Sequence, residues 1–271
     1  PWNGIINFLP GETSKSISVL VKGDLTFESN ELFNLLLSDV SNATLIDDTG
    51  VGTILNDDGV PSITIDDRNV NEGANTTFTI SLSNPSAQSI SLKYATSPGT
   101  ASVSDYVSTS GEILFPAGVT TSTINVQTSE DALNELSESF FVNLFEPVNG
   151  FIGRDKGQGT IVDNDPQPSL SIRDLSVQEG ANGPTSFVFV VELSAASGRE
   201  VTANFATVDG TAKANEGDYS SATGTVRFAP GQTLQSLTIL VNGDNINEPD
   251  ETFAVQLSDS QGASLSDTQG I

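Results

Sequence analysis

The sequence predicts an all-β chain built as tandem β-sandwiches of about seven strands each. Three observations predict it. Motifs recur along the chain, 107 residues between the first and second copies and 113 between the second and third. Short apolar runs alternate with polar residues at period two, as in half-buried strands, and no helical stretches interrupt them. Turn-forming Gly, Pro, Asn and Asp separate the runs.

The repeats set the architecture. Gly4–Phe8 (GIINF) matches Gly111–Phe115 (GEILF) and Gly224–Phe228 (GTVRF). Each is followed by a Gly and a Thr two residues apart: Gly11 and Thr13, Gly118 and Thr120, Gly231 and Thr233. Ile54–Asp58 (ILNDD) matches Ile161–Asp165 (IVDND), and Glu72-Gly73 matches Glu179-Gly180. The longer second interval reflects extra residues near Asn182 and Asn215, polar turn-prone places where insertions are tolerated. In the second unit the strands are expected at 61–66, 76–82, 88–95, 111–115, 121–127, 138–145 and 157–162. Three units follow: the C-terminal half of one over 1–58, a complete one over 59–165, and one over 166–271 lacking its terminal acidic triplet. Residues 1–58 supply only the last four strands, so the natural chain is expected to continue upstream. It is expected to continue downstream as well, because Ile271 falls where the third triplet is due.

Composition narrows the function. With 35 acids against 10 bases the net charge is -25, which excludes an electrostatic footprint for nucleic acid or anionic membrane. No apolar run approaches a membrane span, so no direct membrane insertion is expected. There is no Cys and no His, so metal sites built on thiolate or imidazole are out. Oxygen ligation remains, which suits calcium, magnesium or manganese. No His or Cys serves as base or nucleophile, and no serine lies in a Gly-x-Ser-x-Gly elbow. A carboxylate pair could serve a glycosidase, but a catalytic pair repeated three times would be odd, and the chain is not expected to be an enzyme.

The chemistry points to one repeated pattern. Asp24, Glu28, Glu31 and Phe33 recur as Asp131, Glu135, Glu138 and Phe140, and again as Asp244, Glu248, Glu251 and Phe253. The acids could form the solvated face of a helix. However, like charges at i,i+4 weaken a helix and Pro249 would interrupt it. The residues after them alternate at period two. We read the acids as a loop turning into a strand, forming a hard-cation site at the mouth of each unit. The phenylalanines are core residues, and Tyr106 and Tyr219 structural corners.

Taken in order, these motifs resemble Calx-β repeats: a Glu-Gly loop, an Asp-Tyr pair, a phenylalanine-then-glycine turn, the acidic loop and a terminal acidic triplet. The resemblance covers essentially the whole chain. It implies immunoglobulin-like sandwiches with a calcium site at one end. In the second unit the implied ligands are Glu72, Asp105, Glu130, Asp131, Glu135, Glu138, Asp163 and Asp165, with Asn164 and the carbonyl of Leu133. In the third they are Glu179, Asp218, Asp244, Glu248 and Glu251 with the carbonyl of Ile246. In the first they are Asp24, Glu28, Glu31, Asp57 and Asp58 with the carbonyl of Thr26. Gly23 and Gly243 stand where the family often has an acid, and Asn56 and Asn164 replace acids of the triplets. The second site is therefore expected to be the fullest. Its eight carboxylates exceed what one divalent ion balances. Two unit charges about 4 Å apart repel by roughly 4 kcal/mol at an effective dielectric near 20, so filling the site should order its loops.

The leading expectation is a calcium-rigidified spacer or adhesion segment, extracellular or at a cell surface. Its partners would be calcium ions, neighbouring repeats, and a protein or glycan adhesion partner. Short proline-bearing joints at Asp58–Pro61 and Asp165–Pro168 favour it. The alternative is a calcium sensor regulating an attached membrane protein or enzyme. A cadherin-like module ranks lower, because no mid-domain partner motif accompanies Asp163-Asn164-Asp165.

Overall fold

The computed structural model describes residues 3–271; Pro1 and Trp2, which open the first expected unit, lie outside the described residues. Alternating burial, with every second side chain pointing inward, gives strands throughout, and no helix forms among the described residues.

In the first unit β1 (Glu31–Leu36) and β2 (Thr49–Ile54) form an antiparallel ribbon. The two other strands expected there do not form. Ile5 is 89% exposed and Leu20 96%, and nothing among the described residues pairs with those stretches. Without a ladder, their apolar periodicity has no sheet to join.

The second unit holds β3 (Ser62–Ile65), β4 (Arg68–Asn71), β5 (Asn75–Leu82), β6 (Ile90–Pro98), β7 (Ser110–Phe115), β8 (Thr121–Gln127), β9 (Glu138–Val148), β10 (Phe151–Ile152) and β11 (Lys156–Val162). They make two facing sheets, ordered β10-β3-β5-β8 and β4-β11-β9-β6-β7. All seven expected strands are present, with two additions. The first strand is interrupted and changes sheets. Its β3 half pairs antiparallel with β5, and its β4 half pairs parallel with β11. Between the sheets lie Phe78, Ile80, Ile90, Leu92, Phe115, Phe140 and Val142, all at most 1% exposed. Burying each such side chain contributes about 1.5–3 kcal/mol.

The third unit repeats the plan with β12 (Ser169–Ile172), β13 (Gly183–Leu193), β14 (Val201–Asp209), β15 (Thr223–Phe228), β16 (Leu234–Gly243), β17 (Phe253–Gln261), β18 (Ser264–Leu265) and β19 (Gln269–Gly270). Its sheets run β16-β13-β12-β18 and β15-β14-β17-β19 around a separate core that includes Leu170, Phe189, Val191, Val201, Phe228 and Val255. It has no counterpart of β4, and residues 173–182 carry no strand. The chain is thus all-β, a tandem of immunoglobulin-like sandwiches.

Backbone detail repeats with the sequence. Asp39, Glu146 and Asp259 all adopt φ near +50°, and three residues on Asn42, Asn149 and Gly262 are left-handed too. These positions follow the 107- and 113-residue intervals. In the second and third units they accompany register shifts opposite Ser91–Lys93 and Thr202–Asn204.

Candidate metal centre

In the second unit four segments bring carboxylates to one end of the sandwich. The first is the start of β9. Phe140 lies in the core with its ring against Phe78, edge on at 5.9 Å, and flat against Tyr106 at 4.7 Å. Gly159 on β11 faces Phe140 in register, and a Cβ there would collide with the ring. The stack seats Asp105, next to Tyr106, beside Glu138, two residues before Phe140. Asp105 also accepts from the amide of Ser102 (2.6 Å) and the hydroxyl of Ser104 (3.0 Å).

The acid loop comes next. Asp131 Oδ1 accepts the amide of Leu133 (2.7 Å). Asp24 does the same for Thr26 (2.7 Å) and Asp244 for Ile246 (2.6 Å). The first acid of each pattern therefore closes an Asx turn that shapes the loop, and its other oxygen remains for a cation. The third segment is Glu72. Because β4 runs parallel beside β11, the Glu72 amide reaches the carbonyl of Val162 (3.2 Å), next to the triplet. The fourth is the triplet. Asp163 and Asp165 are half-buried, while the Asn164 amide donates back to the carbonyl of Glu72 (3.4 Å).

Two groups of carboxylate oxygens result, each within 4.8 Å: Glu72 with Asp131 and Glu135, and Glu72 with Asp163 and Asp165. Glu72 belongs to both. Among the carboxylates of these groups, Glu72 Oε2, Asp163 Oδ1 and Asp165 Oδ2 are buried without a hydrogen-bond partner. Buried anionic oxygens without donors are costly, so this donor set fits a hard cation. Burial, reinforced by Asp131, Asp163, Asp165 and Glu135, pushes the Glu72 carboxyl up to about 7. Burial, then the hydrogen bond with Asp105, pushes Glu138 to about 7 as well. Glu135 is raised by burial and by Asp131, Asp105, Asp163 and Asp165. Burial works upward on Asp105 too, but its hydrogen bonds from Ser102, Glu138 and Ser104 prevail and hold it below the usual range.

The expected ligands are not all drawn together. Asp105, Glu138 and Glu130 lie outside both groups; Glu130 is exposed, over the backbone of Gly73, yet near enough to Asp165 to help raise its carboxyl. Among the described residues neither of the other units forms such a group. In the third unit Glu179, Asp244, Glu248 and Glu251 are exposed and Asp218 half-buried. They are near enough that burial, then Asp244, Glu251, Glu179 and Asp218, raise the Glu248 carboxyl. Gly243 packs on the carbonyls of Glu179 and Gly180, leaving no room for an acid. In the first unit Asp24, Glu31 and Asp57 are exposed and Glu28 and Asp58 half-buried; burial first, then neighbouring acids, raises Glu28 and Asp58.

Sequence reasoning missed the loop's outward face. Asn134 forms a parallel bridge with Ser197 of the third unit, its carbonyl accepting from the Gly198 amide (3.2 Å) and the Ser197 hydroxyl (3.1 Å). Phe27 does the equivalent with the second unit: its amide donates to Pro85 and its carbonyl accepts from Ala87, both at 2.9 Å, bridging Ser86. Ser86 and Ser197 are each 2% exposed. Their recurrence in similar Ser-Ala and Ser-Gly turns was the available signal.

The fold and site define a class: tandem β-sandwich repeats, one of which has a carboxylate-lined end that could hold a hard cation. The particular family follows from comparison: the chain belongs to the Calx-beta domain family, whose model matches residues 1–59, 56–165 and 162–269. It is similar to sodium/calcium exchanger 2 of Rattus norvegicus, 30% identical in an alignment of 190 residues that covers 63% of this chain and 20% of the exchanger. It is also similar to sodium/calcium exchanger 1 of Canis lupus familiaris, 32% identical over 111 residues, 41% of this chain and 11% of that one. The chain thus spans about a fifth or less of these relatives. Among solved structures it resembles CBD12 from CALX1.2, at 22% identity and a TM-score of 0.38 over 74% of this chain and 81% of that one. The apo Calx CBD1 domain matches at 25% identity and a TM-score of 0.36, over 38% of this chain and 99% of that one.

Proposed function

We propose that the chain is a calcium-sensing tandem of Calx-β repeats, divided at Asp58/Gly59 and Asp165/Pro166, that binds rather than catalyses. The carrying observation is the second unit's pair of oxygen groups sharing Glu72, with three buried oxygens lacking partners. The ligands would be Glu72, Asp105, Asp131, Glu135, Glu138, Asp163 and Asp165, with the Leu133 carbonyl. Glu130 and Asn164 would support the loops, and the first and third units would bind more weakly. Calcium would neutralise the crowded carboxylates and stiffen the acid loop. That loop is hydrogen-bonded to the third unit through Asn134, so the joint would respond. The names of the curated relatives favour sensing in an attached transport protein.

The spacer expected from the sequence is the second reading, favoured by the two-proline joint Pro166-Gln167-Pro168. Nothing in the comparisons supports its extracellular setting or an adhesion partner. Calorimetric titration of the full chain with calcium, and with magnesium as comparator, tests the proposal. Tight calcium binding lost in Glu72→Gln is expected, and binding unchanged by that variant overturns it.

A further inference from the structure

The two joints use the same backbone bridge but differ in one side-chain exchange. In the second joint the Asn134 side-chain amide donates to Asp163 Oδ2 (3.0 Å) and to the carbonyl of Asp165 (3.1 Å). Both partners are acceptors, so only the NH2 end of the amide fits there. In the first joint the position of Asn134 is held by Phe27, whose side chain has no donor, and the position of Asp163 is held by Asn56. There Asn56 Nδ2 donates to the carbonyl of Asp58 (2.9 Å), the counterpart of Asp165, while its Oδ1 accepts the amide of Glu28 (3.2 Å). Each joint therefore has one carboxamide that ties the acid loop to the last carbonyl of the triplet. It comes from the loop in one joint and from the triplet in the other.

We propose that this carboxamide is the clamp that positions the acid loop on the triplet at each joint, and that its place in the chain sets how many carboxylates the site keeps. With Asn134 on the loop, the triplet keeps Asp163 as an acid, with Oδ1 free for a cation. With Asn56 in the triplet, the clamp is made at the expense of one ligand. Asn134 is thus a positioning residue. Its carbonyl engages Ser197 and Gly198 while its side chain engages the triplet, so one residue links site and neighbouring repeat. The hydrogen bonds of the clamp run between protein atoms alone. Only the ligand-count half rests on the calcium-site reading above.

The chain has no Cys, so spin labels at Thr123→Cys and Thr238→Cys report the distance between the second and third units in the full chain. Wild type, Asn134→Ala, Asp163→Asn and the joint-swapped Asn134→Phe/Asp163→Asn are compared in metal-depleted buffer and in saturating calcium. Calorimetry on unlabelled protein and circular dichroism for folding accompany the distances. Asn134→Ala should broaden the metal-depleted distribution while the second site still binds calcium. The swap should restore a narrow distribution but weaken calcium binding by about tenfold or more, as outer-shell losses already do. Asp163→Asn alone should weaken binding with Asn134 still clamping the Asp165 carbonyl, leaving the distribution narrow. A wild-type distribution for Asn134→Ala, or a swap as loose as that variant, overturns the clamp. If no variant or wild type binds calcium, the sensing proposal fails while the metal-depleted distances still decide the clamp.

Discussion

The Tyr106 ring lies on that of Phe140 at 4.7 Å between centroids and 18° between planes, and Tyr219 lies on Phe253 at 4.4 Å and 14°. Each tyrosine follows an expected ligand, Asp105 or Asp218, and each phenylalanine ends an acid pattern. The stack is how the apolar core sets the spacing of these carboxylates. Phe140→Ala should cost about 3–5 kcal/mol by loss of buried area and the cavity left behind. Phe140→Leu should cost less, yet still weaken calcium binding by releasing Glu138 from Asp105. Denaturant unfolding and calorimetry measure the two effects; full affinity in Phe140→Leu would show that the ring serves packing alone.

Calcium should raise the melting temperature of the second unit. Binding confined to the native state adds about 2.7 kcal/mol at a free concentration one hundred times Kd. Scanning calorimetry with and without millimolar calcium reads this directly, and identical transitions would remove the cation site.

Glu135→Ala and Glu138→Ala should each weaken calcium binding by more than about tenfold. Glu146→Ala should leave it nearly unchanged. Glu146 is well exposed and pairs with Lys93 at 2.7 Å across β9 and β6, away from the acid loop. Equal losses in all three would mean that only bulk charge attracts the ion.

Gly198 lies so close to Glu135 that any Cβ would meet its carboxylate and Cγ. The collision is with a flexible side chain, so Gly198→Ala should fold normally and displace Glu135. Weaker calcium binding in the second unit from a substitution in the third is the expected outcome of a titration. Unchanged affinity would place Glu135 outside the centre.

How far the sequence could be read depended on whether a feature is local. The acid spacing, the core phenylalanines and all seven strands of the second unit were legible, because period and turn chemistry act over a few residues. The sheet switch that carries Glu72 to the triplet was not, since the parallel β4–β11 pairing joins segments some ninety residues apart. Nor was the role of Asn134, whose partners lie in the triplet and in the next unit. Glu130 came from the family resemblance alone, and it sits exposed beside the left-handed turn at Gly73, within electrostatic reach of Asp165. The first unit erred the other way: its strand pattern is legible, but Ile5 and Leu20 have no partner to pair with among the described residues.

The metal-depleted protein should lose stability as pH rises from about 4.5 to about 7. Glu72 and Glu138 sit at about 7 in the folded chain against an ordinary 4.5, raised first by burial and then by neighbouring acids. Within that window the native state keeps these two carboxyls protonated while the unfolded chain has released both protons. The unfolded state binds fewer protons, so unfolding becomes easier as pH rises, and above about 7 the penalty is complete. Glu135 and Asp165, raised for the same first cause, add in the same direction. Asp105 is lowered and acts oppositely, but its effect falls below its ordinary 3.8, outside the window. Calcium reverses the trend, because it binds the ionised carboxylates and displaces their protons. The gain in melting temperature on adding calcium should therefore grow from pH 5 to pH 7.5. Glu72→Gln with Glu138→Gln should flatten the metal-depleted profile and abolish the gain. A metal-depleted melting temperature that climbs through this window would mean that the acids are already solvated and apart, and that no cation is needed to hold them together.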